Sequence, residues 1–235
     1  MNSAASSSEA DQTPESTAKA GGTDNSLSVR RRRLQSPAPR FFAIVPAAGR
    51  SRRMGTPKLL LPWRERPLIT HVLDAWRASR VSRVIVIAHP EDRHLAEVCS
   101  ASGTTVVVPE VPPAEMKDSI ACGLAWIAAH EHPAATDAWV VAPADLPRLS
   151  AAEIDRVIEA YDPASPRVVV PAHAGRRGHP ALFPWGLAAE VARLAPDEGL
   201  NALFDRHPIC EIAAAPSAGD IDTPDDYRRL SEDQY

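Results

Sequence analysis

Cysteine is scarce in this chain: Cys99, Cys122 and Cys210 are its only three, far apart and odd in number. That excludes a disulfide framework and a CxxC metal site, and it predicts buried thiols. Long hydrophobic runs are missing as well. No apolar stretch approaches the ~20 residues that cross a bilayer, and no basic start leads through an apolar middle to a small-residue cleavage site. A cytoplasmic protein without a membrane partner is therefore expected. There is no surplus of positive charge either, the formal net charge being −4. A general nucleic-acid binder carries a basic excess on its folded domain, so no nucleic-acid partner is expected, although a small anion in a local basic pocket fits. Two nucleotide signatures are absent. Without GxGxxG after the first strand, or a ribose-binding acid at the end of the second, a nicotinamide dehydrogenase is disfavoured; without GxxxxGK[ST] there is no Walker loop.

What is present is the composition of a protein with a proper core, 44% hydrophobic and 24% charged. Residues 1–39 are rich in Ser, Ala, Thr and Gly and almost lack large apolar groups. They cannot bury enough surface to offset chain entropy, so a disordered tail is predicted, ending near the solvated charge run Arg30 to Arg33, with a single domain over residues 40–235. From Phe41 onward, short apolar runs alternate with longer amphipathic stretches. Strands are predicted at Phe41 to Val45, Arg83 to Ala88, Thr104 to Val108, Ala138 to Ala142, Arg167 to Pro171 and Ala181 to Phe183. Helices are predicted at about Pro67 to Ser79, Pro90 to Ser102, Lys117 to His130 and Ala151 to Ala160. Unbroken apolar strands flanked by helices imply an α/β fold, its mostly parallel sheet covered on both faces in a Rossmann-like three-layer arrangement.

The loop from Pro46 to Lys58 follows the first strand, the place where open α/β sheets bind ligands. Ala47, Ala48 and Gly49 are small enough for backbone N–H groups to approach a polyphosphate, and Arg53 and Lys58 supply charge for its oxygens. A solvated basic turn is the competing reading. Arg50, Arg52, Arg53 and Lys58 would repel one another there without an anion. Asp145, directly after the apolar run that ends at Ala142, is placed at the carboxyl edge of a strand, where a carboxylate can hold Mg2+. An aspartate beside proline is as often a turn residue, and the residues alone leave the two roles balanced. Thr223-Pro224-Asp225-Asp226 reads as a helix start with Thr223 as N-cap, which makes Asp225 and Asp226 structural. Arg176-Arg177-Gly178-His179, taken alone, reads as a hairpin connection with surface arginines.

The string PAAGxSxRMGxxKLLLP from Pro46 to Pro62, followed by PLIxHVL from Pro67 to Leu73, resembles the signature of the MobA-like NTP transferases within the nucleotide-diphospho-sugar transferase fold. The resemblance extends over roughly Phe41 to Tyr227 and is strongest toward the molybdenum cofactor cytidylyltransferases. It implies a nucleotide site shaped by Ala47, Ala48 and Gly49, with Arg53 and Lys58 on the triphosphate and Ser119 as a further nucleotide contact. It implies metal ligation by Asp145, in a GDxP-type motif whose Gly is here Ala144, and by Asp222 of the DIDTPxDY string, with Asp220 as second choice. It also implies that the RRGHPxLF segment presents Arg177 and His179, beside Arg176, to the acceptor. The activity implied is Mg2+-dependent transfer of NMP, CTP being favoured, onto a small phosphorylated acceptor of molybdopterin type, with release of pyrophosphate and with a molybdoenzyme as a partner. Catalysis would rest on Lys58, Arg53 and Asp145, without a protein nucleophile.

The chain departs from this pattern between Pro109 and Asp118. Glu110 and Glu115 are unfavourable beside a polyphosphate unless they point outward, and Lys117-Asp118 replaces small polar residues. Asp197-Glu198-Gly199 resembles the family's DEG turn, and a helix N-terminus explains its acids equally well. Transfer to another phosphorylated acceptor is the first alternative, and a non-catalytic nucleotide sensor the second.

Overall fold

The structure, a computed structural model, describes residues 37–49, 57–214, 221 and 223–232. The predicted tail lies outside the described residues up to residue 36. In chain order the elements are β1 (Phe41–Ala47), a 3-10 turn (Lys58–Leu60), β2 (Pro62–Trp63), β3 (Arg66–Pro67), α1 (Leu68–Ala78), β4 (Arg83–Ala88), α2 (Arg93–Ala101), β5 (Thr105–Val107) and α3 (Met116–Glu131). There follow β6 (Ala138–Val141), α4 (Ala151–Glu159), β7 (Val168–His173), β8 (Arg176–Arg177), β9 (Ala181–Pro184), a 3-10 turn (Trp185–Leu187), α5 (Ala188–Val191), α6 (Asn201–Arg206), β10 (Ile209–Ala213) and α7 (Pro224–Glu232).

The main sheet runs β10-β7-β9-β6-β1-β4-β5, with β8 hairpinned onto β7. Strands β1, β4, β5 and β6 are mutually parallel, and β10 is parallel to β7. β9 is the reversed member, antiparallel to both β6 and β7. The expectation of a mostly parallel sheet in an α/β fold is met.

Alternation along β1 divides the core in two, because successive strand side chains point to opposite faces. Phe41, Ala43, Val45 and Ala47 pack with Leu68, Val72 and Trp76 of α1, Leu95 of α2, Ile154 and Val157 of α4 and Leu230 of α7. Phe42 and Ile44 face the other way, onto Ile120, Leu124 and Ile127 of α3. Trp139 and Phe183, register partners on β6 and β9, stack at 4.3 Å on this second face. Gly123 brings α3 close to β1, since a Cβ there would stand 2.9 Å from Ile44 Cγ2. Helix starts follow local chemistry. Asp92 caps α2 by accepting from Leu95 N at 3.1 Å, and Ser150 and Glu153 form a reciprocal capping box on α4. The amino-terminal edge of the sheet is stapled by Asp137, 2% exposed. Its carboxylate accepts from the Arg40 backbone N–H at 2.8 Å, the Arg40 guanidinium at 2.9 Å and Ala134 N at 2.9 Å.

Three expectations need correction. Of the three thiols only Cys99 is buried, its pKa pushed up to about 12 by burial and by Asp92; Cys122 and Cys210 are half-buried. The acids of the DEG turn do not cap a helix: α6 starts after Leu200, and Glu198 instead accepts from Ala195 N at 2.9 Å and pairs with Arg206. The short elements β2, β3, β8, α5, α6 and β10 were not anticipated, because pieces this brief show no periodicity of their own.

Candidate active site

All four parallel strands of the central sheet, β6, β1, β4 and β5, end at one edge, and three loops meet there. The first leaves β1. Ala47 and Ala48 are buried and Gly49 is exposed, and a Cβ at Gly49 would meet nothing within 4 Å. Gly49 is thus required neither by packing nor by a positive φ, which leaves room above its backbone for a ligand to approach. Arg53 lies outside the described residues. The chain returns in the 3-10 turn, where Leu59 is buried in the core beneath and carries Lys58 on its other side.

The second loop leaves β6 through Ala142, Pro143 and Ala144 to Asp145. Ala144 is buried and is not among the residues with positive φ, so the backbone makes no demand for the Gly of the GDxP pattern. The Asp145 Oδ2 atom accepts from the Lys58 ammonium. Both side chains are largely covered, at 13% and 15% exposure. The other oxygen, Oδ1, is buried without a hydrogen-bond partner. Buried carboxylate oxygens are rarely left so, and an anionic oxygen of this kind is the donor that Mg2+ or Mn2+ takes.

The third segment comes from far along the chain. Ile221, fully buried, donates its N–H to Asp145 O at 3.2 Å, and its own carbonyl accepts from Lys58 Nζ at 2.8 Å. A residue from each of three segments is thereby joined: Lys58, Asp145 and Ile221. Asp220 and Asp222, the neighbours of Ile221, lie outside the described residues. Among the described residues no cluster of three or more His, Cys, Asp or Glu side chains forms, so any cation on Asp145 needs further ligands from elsewhere. Beyond Ile221, Thr223 and Asp226 cap α7, with Asp226 N donating to Thr223 Oγ1 at 3.2 Å and Thr223 N to Asp226 Oδ2 at 3.0 Å. Asp225 and Asp226 also pair with Arg228 and Arg229, within the helix.

Ser119 lies in the first turn of α3 and is buried; because α3 follows β5, its N-terminus stands at the same sheet edge. Glu110 and Glu115 are exposed, and Asp118 accepts from Glu115 N at 2.9 Å, closing the helix start. Lys117 has a role that its neighbours in sequence did not announce. Its ammonium donates to the carbonyls of Ala195, Pro196 and Glu198 at 2.6, 2.6 and 2.8 Å, tying the DEG turn to α3.

The Arg177 guanidinium pairs with Glu211 at 2.9 Å and lies 5.3 Å from the centre of the Phe204 ring. Its partners are on β10 and α6. His179 precedes Ala181, which pairs in register with Val141, so its segment leaves the sheet at the edge where β6 leads to Asp145.

Comparison with known proteins finds nucleotidyltransferases among those this chain resembles. The 2-C-methyl-D-erythritol 4-phosphate cytidylyltransferase of Shewanella loihica is 37% identical over 126 residues, which is 52% of this chain and 49% of that enzyme. The molybdenum cofactor guanylyltransferase of Xanthomonas euvesicatoria is 34% identical over 126 residues, 53% of this chain and 56% of that enzyme. The match thus spans about half the length of these curated relatives. Rv0371c of Mycobacterium tuberculosis superimposes with a TM-score of 0.70 at 35% identity, covering 82% of this chain and 98% of that one. It has also been solved as a complex with manganese, which matches with a TM-score of 0.67 at 33% identity. The model of the MobA-like NTP transferase domain matches residues 43–211, and the chain belongs to that family.

Proposed function

We propose that this protein is a divalent-cation-dependent nucleotidyltransferase that moves CMP from CTP onto a small phosphorylated acceptor. The observation that carries the proposal is the pairing of Lys58 with Asp145, whose second oxygen is buried without a partner, at the sheet edge beside Ala47 to Gly49. Asp145 holds the cation, Mg2+ in the cell, and Asp222, the residue after Ile221, completes the ligand set. Held there, a divalent cation would supply positive charge to offset the negative charge developing on the phosphates.

The chain's own residues then have separable tasks. The backbone of Ala47, Ala48 and Gly49 receives the nucleotide, Lys58 and Arg53 bind the triphosphate, and Ser119 contacts the nucleotide from α3. His179, with Arg177, meets the acceptor. An acceptor phosphate oxygen is already anionic, so it forms the new bond to the α-phosphorus directly. The bond from that phosphorus to its β-side bridging oxygen breaks, and pyrophosphate leaves with the electron pair. Positioned positive charge that strengthens its hold as negative charge develops is the main source of rate. No protein nucleophile takes part.

For the acceptor we favour a molybdopterin-type phosphate, from the RRGHP and DIDTP strings, with a molybdoenzyme as the recipient of the product and the cytoplasm as the location. Among the described residues no helix is long and apolar enough to cross a membrane. A second reading of the acceptor, an alcohol phosphate, draws on the relatives that act on 2-C-methyl-D-erythritol 4-phosphate. The test is pyrophosphate release with each of the four NTPs and each acceptor class. Release with CTP that Asp145→Asn and Lys58→Ala abolish is expected. CTP binding without release in any pairing would replace the enzyme with a nucleotide sensor.

A further inference from the structure

Taking Asp145 as the metal ligand, as proposed above, we infer that Lys58 makes metal binding conditional on nucleotide. The Lys58 ammonium contacts Asp145 Oδ2 and is anchored from behind by the Ile221 carbonyl at 2.8 Å. Asp145 Oδ1 is the buried oxygen without a partner. A divalent cation taking Oδ2 must displace the ammonium. One taking Oδ1 shares the same carboxylate with it, and two positive charges on one partly buried anion repel each other. By either route Lys58 opposes the cation.

The opposition ends when a triphosphate enters. Its negative oxygens neutralise the ammonium or draw it from Asp145, and the carboxylate is released to the cation. Metal and nucleotide therefore tighten each other, by the same factor in both directions. The Ile221 carbonyl gives this arrangement a resting place for Lys58 that involves neither ligand, and it links the device to the segment that carries Asp222.

Mn2+ binding to the full chain, followed by the electron paramagnetic resonance of free Mn2+, tests the inference without turnover. Measurements are made with and without CTP, corrected for the Mn–CTP complex, and with no acceptor present. Lys58→Met is expected to bind Mn2+ alone about tenfold more tightly than the wild type, or more, because a positive charge beside the site is gone. CTP should then enhance Mn2+ binding less than in the wild type. Lys58→Arg, which keeps the charge, should resemble the wild type, and Lys58→Gln replaces the Met variant should that fail to fold. Mn2+ affinity that is unchanged or weaker in Lys58→Met, while Asp145→Asn loses binding, would overturn the inference alone and make Lys58 an orienting partner of the ligand. Wild-type Mn2+ affinity in Asp145→Asn would instead overturn the assignment of Asp145 as ligand, and the inference with it.

Discussion

Gly123→Ala sets two known effects against each other at one atom. In an exposed helix interior, alanine in place of glycine gains about 1 kcal/mol. At Gly123 the added methyl would stand 2.9 Å from Ile44 Cγ2 and 3.4 Å from its Cγ1 and Cδ1. Ile44 has little freedom to yield. It is 0% exposed, it lies on β1 between the parallel partners β4 and β6, and its branched Cβ restricts χ1. Overpacking of this kind costs about 1–3 kcal/mol, so the net expectation is a loss of about 1 kcal/mol. Urea denaturation followed by tryptophan fluorescence would measure it. A reversal of sign is expected when Ile44 is shortened to Ala. In an Ile44→Ala background the obstructing atoms are gone, and Gly123→Ala should stabilise by about 1 kcal/mol. Ile44→Val retains Cγ2 and should leave the clash in place. Stabilisation by Gly123→Ala in the wild-type background, or the same change in all three, would refute the claim that α3 needs glycine in order to approach β1.

Two further expectations concern the segment that follows Lys58. His71 Nε2 donates to Trp63 O at 2.6 Å, and burial lowers its pKa, with Arg66 and Arg64 adding to the effect against Asp74 and the carbonyl. The folded value lies below the unfolded one, so the neutral ring stabilises the fold above pH ~6.5, and that contribution is lost as pH falls further. Melting temperatures of the wild type should therefore drop between about pH 7.5 and 5.5 more steeply than those of His71→Gln; parallel curves would remove His71 as the cause. Arg64 and Glu65 turn the β2–β3 hairpin with φ of +44° and +68°, a left-handed pair that favours Asn-Gly. The double change Arg64→Asn and Glu65→Gly should stabilise the protein by about 1–2 kcal/mol in the same urea assay. An unchanged midpoint would show that contacts of the present side chains offset the backbone cost.

The long elements were legible in sequence because each has a pattern of its own. Strands β1, β4 and β6 are unbroken apolar runs, and α1 repeats Leu68, Val72, Leu73 and Trp76 at helical spacing. The hairpin of β2 and β3 and the edge strand β10 were not, since their existence depends on partners supplied by the fold. Of the candidate site, Ala47 to Gly49, Lys58 and Asp145 could be picked out from their places after strands. Ile221 carried no such signal: an isoleucine between two aspartates reads as filler until its backbone is seen to join Asp145 and Lys58. Lys117 shows the converse. It stood out only as a departure from the family pattern, whereas its ammonium is taken up by three carbonyls of a distant turn.

The amino-acid sequence by itself determined the class of fold and singled out the candidate residues at one edge of the sheet, because periodicity and the strand-loop-helix order are local properties of a chain. Only the tertiary structure decided which of those residues meet. Lys58, Asp145 and Ile221 are separated by most of the domain, and nothing local selects one partner for an ammonium among the carboxylates of an acidic chain. The register of β1 on β6 and the buried Ile221 bring Asp145 and Lys58 together at one end of the sheet.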